Sequence, residues 1–270
     1  MPKIVVMVQA RMSSSRLPGK VLLPLLGRPL LARMLERLGF CQTPFTTVVA
    51  TSTDSSDDVL AKFCEREGVA CYRGSLGDCL DRHYQVAEQY DADWAVKIPS
   101  DCPLIDPRIV DAVLGFFVEQ PDAYDFVSNL HPPTWPDGND VEIMTRQTLR
   151  RAWAEATRPL DREHTTPYIW DAAPEQFRIG NVTWETGQDY SMSHRFTIDY
   201  PTDYQFIRTV YEALYPTNPR FSCADILTLL NQRPDLYRIN ADLAGVNWYR
   251  NHLTDLHTVS AEQTKQVPAN

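Results

Sequence analysis

The sequence predicts an α/β protein built on a mixed, mostly parallel sheet flanked by helices. Two observations predict it. Through the first 120 residues, short apolar or β-branched runs alternate with amphipathic helical segments, the rhythm of βαβ units with right-handed crossovers. The first of those runs feeds a long, basic, serine-rich loop and then a helix, and ligands of such sheets sit beyond the carboxyl ends of the strands. At 270 residues, 43% hydrophobic and 23% charged, the chain has ordinary globular composition and length enough for a substantial core.

Ile4-Val5-Val6-Met7-Val8 reads as a buried strand. Leu30, Leu31, Met34, Leu35 and Leu38 fall on one face of a helix that opens near Pro29 and stops at Gly39. Thr46–Thr51 is a β-branched second strand. After the acidic, serine-rich cap cluster Asp54–Asp58, a helix carrying Val59, Leu60, Phe63 and Cys64 ends near Gly68. Val69–Tyr72 is a third strand, Cys79–Tyr90 a helix and Trp94–Ile98 a fourth strand; Pro107 then opens another helix. Past Gln120 the rhythm changes. Strands are expected at Asp125–Asn129, Val141–Thr145, Phe177–Trp184 and Arg195–Asp199. Helices are expected at Arg146–Ala156, at Asp161–Ala173 with a break or kink at Pro167, at Tyr204–Leu214 and at Ala224–Asn231. Ser222 and Asp225 form a capping box for the last of these. One domain over 1–257 is expected, with residues 125–194 supplying an acceptor pocket, and the polar, aperiodic stretch 258–270 reads as a flexible tail.

Charge points to the ligand. Between Met1 and Arg37 stand seven basic residues, Lys3, Arg11, Arg16, Lys20, Arg28, Arg33 and Arg37, against the single acid Glu36, in a chain of net charge −9. A cationic island in an acidic protein suits a small anionic ligand and argues against a nucleic-acid surface. Arg28, Arg33 and Arg37 read as a solvated helix face. Arg11, Arg16 and Lys20 lie in the strand–loop–helix position where backbone N–H groups and fixed cations receive a polyphosphate. No apolar run spans a bilayer and no signal peptide is expected, so neither is a membrane partner. The six cysteines, Cys41, Cys64, Cys71, Cys79, Cys102 and Cys223, fit no zinc spacing and read as small core residues of a cytoplasmic protein.

Several signatures are absent: G-x-G-x-x-G, Walker A (Gly19-Lys20 is followed by Val21), G-x-S-x-G and H-E-x-x-H. Asp101 and Asp199 both end apolar strands on the ligand rim. Either can be a turn or cap residue, although Asp106, directly before Pro107, is the better cap. Two carboxylates facing three cations also suit a Mg²⁺–triphosphate.

The stretch Gln9-Ala10-Arg11-Met12-Ser13-Ser14-Ser15-Arg16-Leu17-Pro18-Gly19-Lys20 closely resembles the A-R-x-x-S-x-R-L-P-G-K signature of the CMP-sugar synthetases, among them the CMP-Kdo synthetases and acylneuraminate cytidylyltransferases. Arg73-Gly74-Ser75 with Asp81-Arg82, Asp101–Asp106, Asp137–Glu142, Arg162–Ile169 and Phe196–Asp199 resemble the spore-coat polysaccharide (SpsF-type) branch. The resemblance runs over roughly Met1 to Leu214. It implies a GT-A-type, Rossmann-like nucleotidyltransferase fold and a Mg²⁺-dependent transfer of CMP from CTP to an acidic, nonulosonate- or Kdo-like sugar, with pyrophosphate released. Carried over by motif, Arg11 and Lys20 would bind the triphosphate and Asp101 and Asp199 the Mg²⁺. Gln9, Ala10, Ser13, Arg16 and Ser100 would complete the nucleotide site, with Arg82 near the base or ribose. Ser100-Asp101-Cys102-Pro103 departs from the Gly-Asp-Glu-Pro-like segment of better-known members, so the sugar pocket does not transfer.

Polar candidates for that pocket are Asn129, Asp140, Glu142, His164 and Arg195. His164 could equally be a structural histidine, and Glu142, in an alternating strand, could face solvent. Arg195 could grip a sugar carboxylate through its fork or balance Asp199 or Asp203. Members of the family often dimerise through the 125–194 half, so a homodimer is expected. The rival class is a GT-A glycosyltransferase with a nucleotide-sugar donor; Asp91-Ala92-Asp93 has the letters of its metal motif but precedes its strand.

Overall fold

Alternation along the first strand, β1 (Ile4–Gln9), sets the layers. Ile4, Val6 and Val8 pack into one apolar cluster, while Val5 and Met7 pack into another on the opposite face of the sheet, as a period of two requires. The computed structural model describes residues 2–267. Around β1 lies a seven-stranded sheet in the order β5-β4-β1-β6-β8-β7-β9. Its other strands are β4 (Thr46–Ser52), β5 (Ala70–Gly74), β6 (Trp94–Pro99), β7 (Phe126–Ser128), β8 (Glu142–Thr145) and β9 (Ile179–Asn181); β2 (Pro24–Leu25) and β3 (Arg28–Pro29) form a separate small hairpin. Only β8 runs against its neighbours: β4, β1, β6 and β5 pair in parallel, and so do β7 and β9. The expected mixed, mostly parallel sheet is therefore what forms.

Helices α1 (Leu30–Leu38), α2 (Asp58–Glu67) and α4 (Pro107–Val118) cover the first face. On the second face lie α3 (Cys79–Gln89), α5 (Arg146–Glu155) and the short α6 (Pro159–His164). A third cluster joins the small hairpin to α7 (Pro201–Leu214), α8 (Cys223–Gln232) and α9 (Pro234–Tyr237). The caps read from the sequence form: Asp106 accepts from the Arg108 N–H at 2.9 Å, and Ser222 and Asp225 make their reciprocal box.

Five expectations need correction. Of the three arginines read as a solvated helix face, Arg33 and Arg37 are buried, Arg33 on the Leu25 and Leu26 carbonyls at 3.1 and 2.7 Å and Arg37 on the Ile105 and Phe221 carbonyls at 2.6 and 2.8 Å. The helix expected over Asp161–Ala173 is broken: α6 stops where Thr165 takes φ +75°, and only a π-helical turn follows at Tyr168–Ala172. Thr165 and Thr166 are buried in that break and reach Cys79 and Glu142 instead of continuing a helix. The strand over Phe177–Trp184 shrinks to β9, because beyond Asn181 only Val182 still bonds to β7. Arg195–Asp199 is extended but joins no sheet. Its backbone is shared between two loops, with Phe196 N–H on the Asp137 carbonyl at 2.6 Å and Ile198 N–H on the Asp101 carbonyl at 2.9 Å. Finally, much of the expected tail is tied down. The Thr258 N–H meets Asp171 at 2.8 Å, Thr264 is buried, and the Lys265 N–H meets the Gly245 carbonyl at 2.8 Å. Residues 268–270 of that stretch lie outside the described residues.

One glycine locks the two rim loops together. Gly138 has φ +107°, and a Cβ there would lie 2.6 Å from the Phe196 carbonyl carbon and the Thr197 nitrogen. Gly138→Ala should cost about 2 kcal/mol or more, through strain and separation of these loops. Chemical denaturation measures it, and an unchanged midpoint would mean that the two loops are not held in this contact.

Candidate active site

The parallel strands end together, with Gln9 in register with Pro99 and Ser52 with Gly74. Onto that rim the basic loop is folded by one buried carboxylate. Asp57 accepts from the Met12 N–H at 2.7 Å and from the Ser52 hydroxyl and N–H at 2.5 and 3.2 Å. The loop closes where the Gly19 N–H meets the Met12 carbonyl at 3.0 Å. Gly19 does this at φ +71°, a left-handed conformation that glycine adopts without penalty, and it delivers Lys20 to the interior.

Lys20 is the hub. Its Nζ donates to the Ile198 carbonyl at 2.6 Å, to Asp199 Oδ1 at 2.9 Å and to Asp101 Oδ2 at 3.3 Å. Burial by itself would lower the Lys20 pKa, but Asp101 and Asp199 outweigh it and hold the ammonium above its ordinary range. The reciprocal holds at Asp199. Burial would raise it, while Lys20 and Arg16, the latter at 2.6 Å, bring it down to about 2. Two carboxylates 98 positions apart in sequence thus converge on one cationic point.

Arg195 builds the support behind them. Its side chain is wholly buried, with Nε on Asp203 at 3.0 Å, Nη1 on Asp137 at 3.1 Å and Nη2 on Asp199 at 3.1 Å. Asp203 also accepts from the Asp199 and Tyr200 N–H groups at 2.9 and 3.0 Å, which fixes the start of α7 and the backbone under Asp199.

In front of these groups opens a cavity of about 620 Å³. Its lining includes Gln9, Arg11, Ser13, Arg16, Lys20, Ser100, Asp101 and Asp199. Lys97, Asp137, Asp140, Glu142, Glu163 and His164 line it too, with a wall from the 246–252 segment. Lys97 and Glu142 face each other across β6 and β8 and form an ion pair, and Thr166 donates to the same Glu142 at 2.6 Å. His164 stacks on Trp248 with ring centroids 3.9 Å apart. Burial, with Lys97 and other cations nearby, depresses its pKa to about 3, and burial takes His131 to about 4. Both imidazoles are neutral at pH 7.

Asp140 also lines the cavity, and burial together with Asp101 pushes its carboxyl up to about 7. A carboxyl raised in the folded state binds its proton more tightly there than in the unfolded chain. Its contribution to stability is therefore full at low pH and lost as pH climbs from about 4 to 7. Asp140→Asn should match the wild type near pH 4 and exceed it above pH 7 by about 3–4 kcal/mol. Urea titrations at the two pH values measure this, and equal differences at both would place the Asp140 titration elsewhere.

Most of the residues singled out in the sequence meet at this cavity, but four do not act as expected. Arg82 does not line it. It is fully buried and holds the Ser75 and Leu76 carbonyls from behind, so it shapes the loop that Arg11 also reaches at 3.2 Å through Leu76. Asn129 is likewise buried outside the cavity, its amide spent on the Asn139 carbonyl at 2.7 Å and the Val141 N–H at 3.0 Å. Arg195 reaches the cavity wall, yet its fork is committed to three carboxylates and is not free for a sugar carboxylate. Ala10, buried, supports the loop through its N–H on Ala50 at 3.1 Å.

Sequence reasoning missed Lys97, Asp137, Thr166 and the 246–252 wall. The one signal available for the wall was the aromatic pair Trp248-Tyr249, which no periodicity ties to the rim. The rival metal motif lies at the opposite end of the sheet: Asp93 caps the Lys3 N–H at 2.7 Å and Asp91 pairs with Arg146 at 2.6 Å.

A parallel-sheet rim bearing a basic loop, paired aspartates and a polar cavity defines a nucleotidyltransferase with a Rossmann-like fold. A family profile described as cytidylyltransferase matches residues 5–223, and the chain belongs to that family. It is 31% identical over 251 residues to the spore coat polysaccharide biosynthesis protein SpsF of Bacillus subtilis (strain 168), covering 87% of this chain and 97% of that one. A solved cytidylyltransferase from Leptospira borgpetersenii superposes with TM-score 0.82 at 32% identity, over 88% of this chain and 97% of the other. The CMP:2-keto-3-deoxy-manno-octonic acid synthetase solved with CTP shares the fold, with TM-score 0.56 at 18% identity over 78% and 98% of the two chains. No helix among the described residues is long and apolar enough to cross a membrane.

Proposed function

We propose that this enzyme transfers CMP from CTP to a sugar hydroxyl and releases pyrophosphate. What carries the reading is the convergence of Lys20, Arg16, Asp101 and Asp199 on the wall of a polar cavity that Lys97, Asp140, Glu142 and His164 also line. The similarity to the cytidylyltransferases supports CTP as the donor. In the reaction the acceptor oxygen attacks the α-phosphorus in line, the bond to the β-phosphate oxygen breaks, and the hydroxyl proton leaves to base or solvent. Negative charge gathers on the phosphoryl oxygens and on the departing pyrophosphate. Fixed cations preorganised in a partly dry site stabilise that charge more than they stabilise the ground state. In this reading Arg11, Arg16 and Lys20 do this work, and their lining of one cavity with Gln9, Ser13 and Ser100 supports it.

Mg²⁺ fits the donor set. Asp101 and Asp199 already share one cationic point, and both are hard oxygen ligands. A two-carboxylate site completed by water and phosphate oxygens is how proteins commonly hold Mg²⁺. When bound, the ion would neutralise phosphate charge. The six unpaired cysteines suit a reducing, cytoplasmic compartment.

Calorimetry with each nucleoside triphosphate and Mg²⁺, followed by pyrophosphate release over a panel of sugars, tests the reading. CTP should bind tightest and support release. Preference for another triphosphate, or hydrolysis of a nucleotide-sugar in its place, would overturn it.

A further inference from the structure

We propose that Asp57, which touches no part of the cavity, is a positioning residue for the β and γ phosphates of the nucleotide. The inference rests on the CMP-transfer reading and adds to it the group that holds the basic turn in its working shape. Asp57 is wholly buried and directly precedes α2, where an aspartate ordinarily caps the helix. Its side chain makes no such cap. One oxygen reaches 45 positions back along the chain to the Met12 N–H at 2.7 Å, and the other takes the Ser52 hydroxyl and N–H at 2.5 and 3.2 Å. Asp57 meets no cation among the described residues, so its duty is to join the turn to the end of β4.

Met12 is where the turn is pinned twice. Asp57 fixes its N–H, and its carbonyl receives the Gly19 N–H at 3.0 Å. Gly19 then places Lys20 on Asp101 and Asp199. Contacts thus run from Asp57 through Met12 and Gly19 to the Lys20 ammonium. Between the two pins, the N–H groups of Ser13, Ser14, Ser15 and Arg16 meet no acceptor among the described residues, and all four residues line the cavity. Successive N–H groups of this kind receive phosphate oxygens. Neither Asp57 nor Met12 is part of the lining, so Asp57 acts on a ligand through the turn. A nucleoside monophosphate, which lacks the β and γ phosphates, depends less on that turn than a triphosphate does.

In Asp57→Asn an NH₂ group replaces one oxygen, which sets donor against donor at either Met12 or Ser52. Side-chain shape is kept, so the turn should loosen while the fold holds. Calorimetry in Mg²⁺ with CTP and with CMP tests this on the wild type, Asp57→Asn and Ser52→Ala, each well below its melting midpoint. Asp57→Asn should weaken CTP binding by about ten-fold or more, as misplacement of binding groups does, and CMP binding by about three-fold or less. Ser52→Ala removes one hydrogen bond and leaves Met12 bound, so CTP should weaken by about three-fold and CMP stay unchanged. A merely structural role would lower the melting midpoint and leave the ratio of the two affinities alone. A ratio lowered by less than about three-fold in Asp57→Asn would overturn the assignment, and so, should that variant not fold, would an unchanged ratio in Ser52→Ala. Failure of the wild type to bind CTP would remove the CMP-transfer reading, and the assignment with it.

Discussion

Lys20→Ala is expected to lower kcat/KM for CTP by about 10²–10³-fold, the loss that follows removal of one preorganised charge contact from a transition state. The structure makes this a clean experiment. Lys20 leaves behind two carboxylates, but Asp199 keeps Arg16 at 2.6 Å and Arg195 at 3.1 Å, and Asp101 is about one-third exposed and can hydrate. The fold should survive, so the melting midpoint serves as the control. Binding of CTP should weaken more than binding of CMP, because the extra charge sits on the β and γ phosphates. Equal weakening of the two would move Lys20 away from those phosphates. Asp101→Asn is the companion variant for the metal. Asp199→Asn is the poorer choice, because three cations surround that carboxylate and its neutralisation would disturb the fold as well.

The second large effect is on stability. Arg195→Ala is expected to cost about 3–5 kcal/mol, because it strands buried negative charge. Asp203, wholly buried, loses the one cationic partner it has among the described residues, and Asp137 and Asp199 lose one each. Arg195→Lys should recover only part of this, since one ammonium cannot reproduce a planar fork that meets three carboxylates and the Val246 carbonyl at once. Urea denaturation measures both variants. A loss below about 1 kcal/mol in Arg195→Ala would show that the carboxylates find other partners and that Arg195 is not the post on which Asp199 is hung.

The residues differ in how readable they were. Arg11, Arg16 and Lys20 could be picked out because they follow an apolar strand and precede a helix, a local arrangement with a known chemical use. Asp101 stood out by elimination, since Asp106 takes the capping duty, and the structure agrees on both. Glu142 was ambiguous in the sequence because an alternating strand has two faces. The face it takes follows from β8 lying antiparallel beside β6, which sets it opposite Lys97. Arg82 and Asn129 were misplaced for a related reason. Asn129 adjoins Leu130 and His131, which do border the cavity, while Arg82 lies on a helix that does not reach it, and only packing showed that neither side chain enters the space. Arg195 shows the same limit, since both its readings, ligand fork or internal counter-ion, were open until its three partners were seen.

By itself the sequence determined the order and type of nearly all elements, the two faces of β1, the caps at Asp106 and Ser222, and the basic turn that ends at Gly19 and Lys20. These are short-range properties, set by side-chain period, by backbone freedom at single residues and by hydrogen bonds that close within three or four positions. The tertiary structure alone decided which charges pair. Lys20 meets Asp101 across 81 positions and Asp199 across 179, and the wall at 246–252 comes from a segment with no local mark of function. Any of several carboxylates could have answered each cation. Burial chose among them, because a charge taken out of water must find a partner in the space the fold leaves to it.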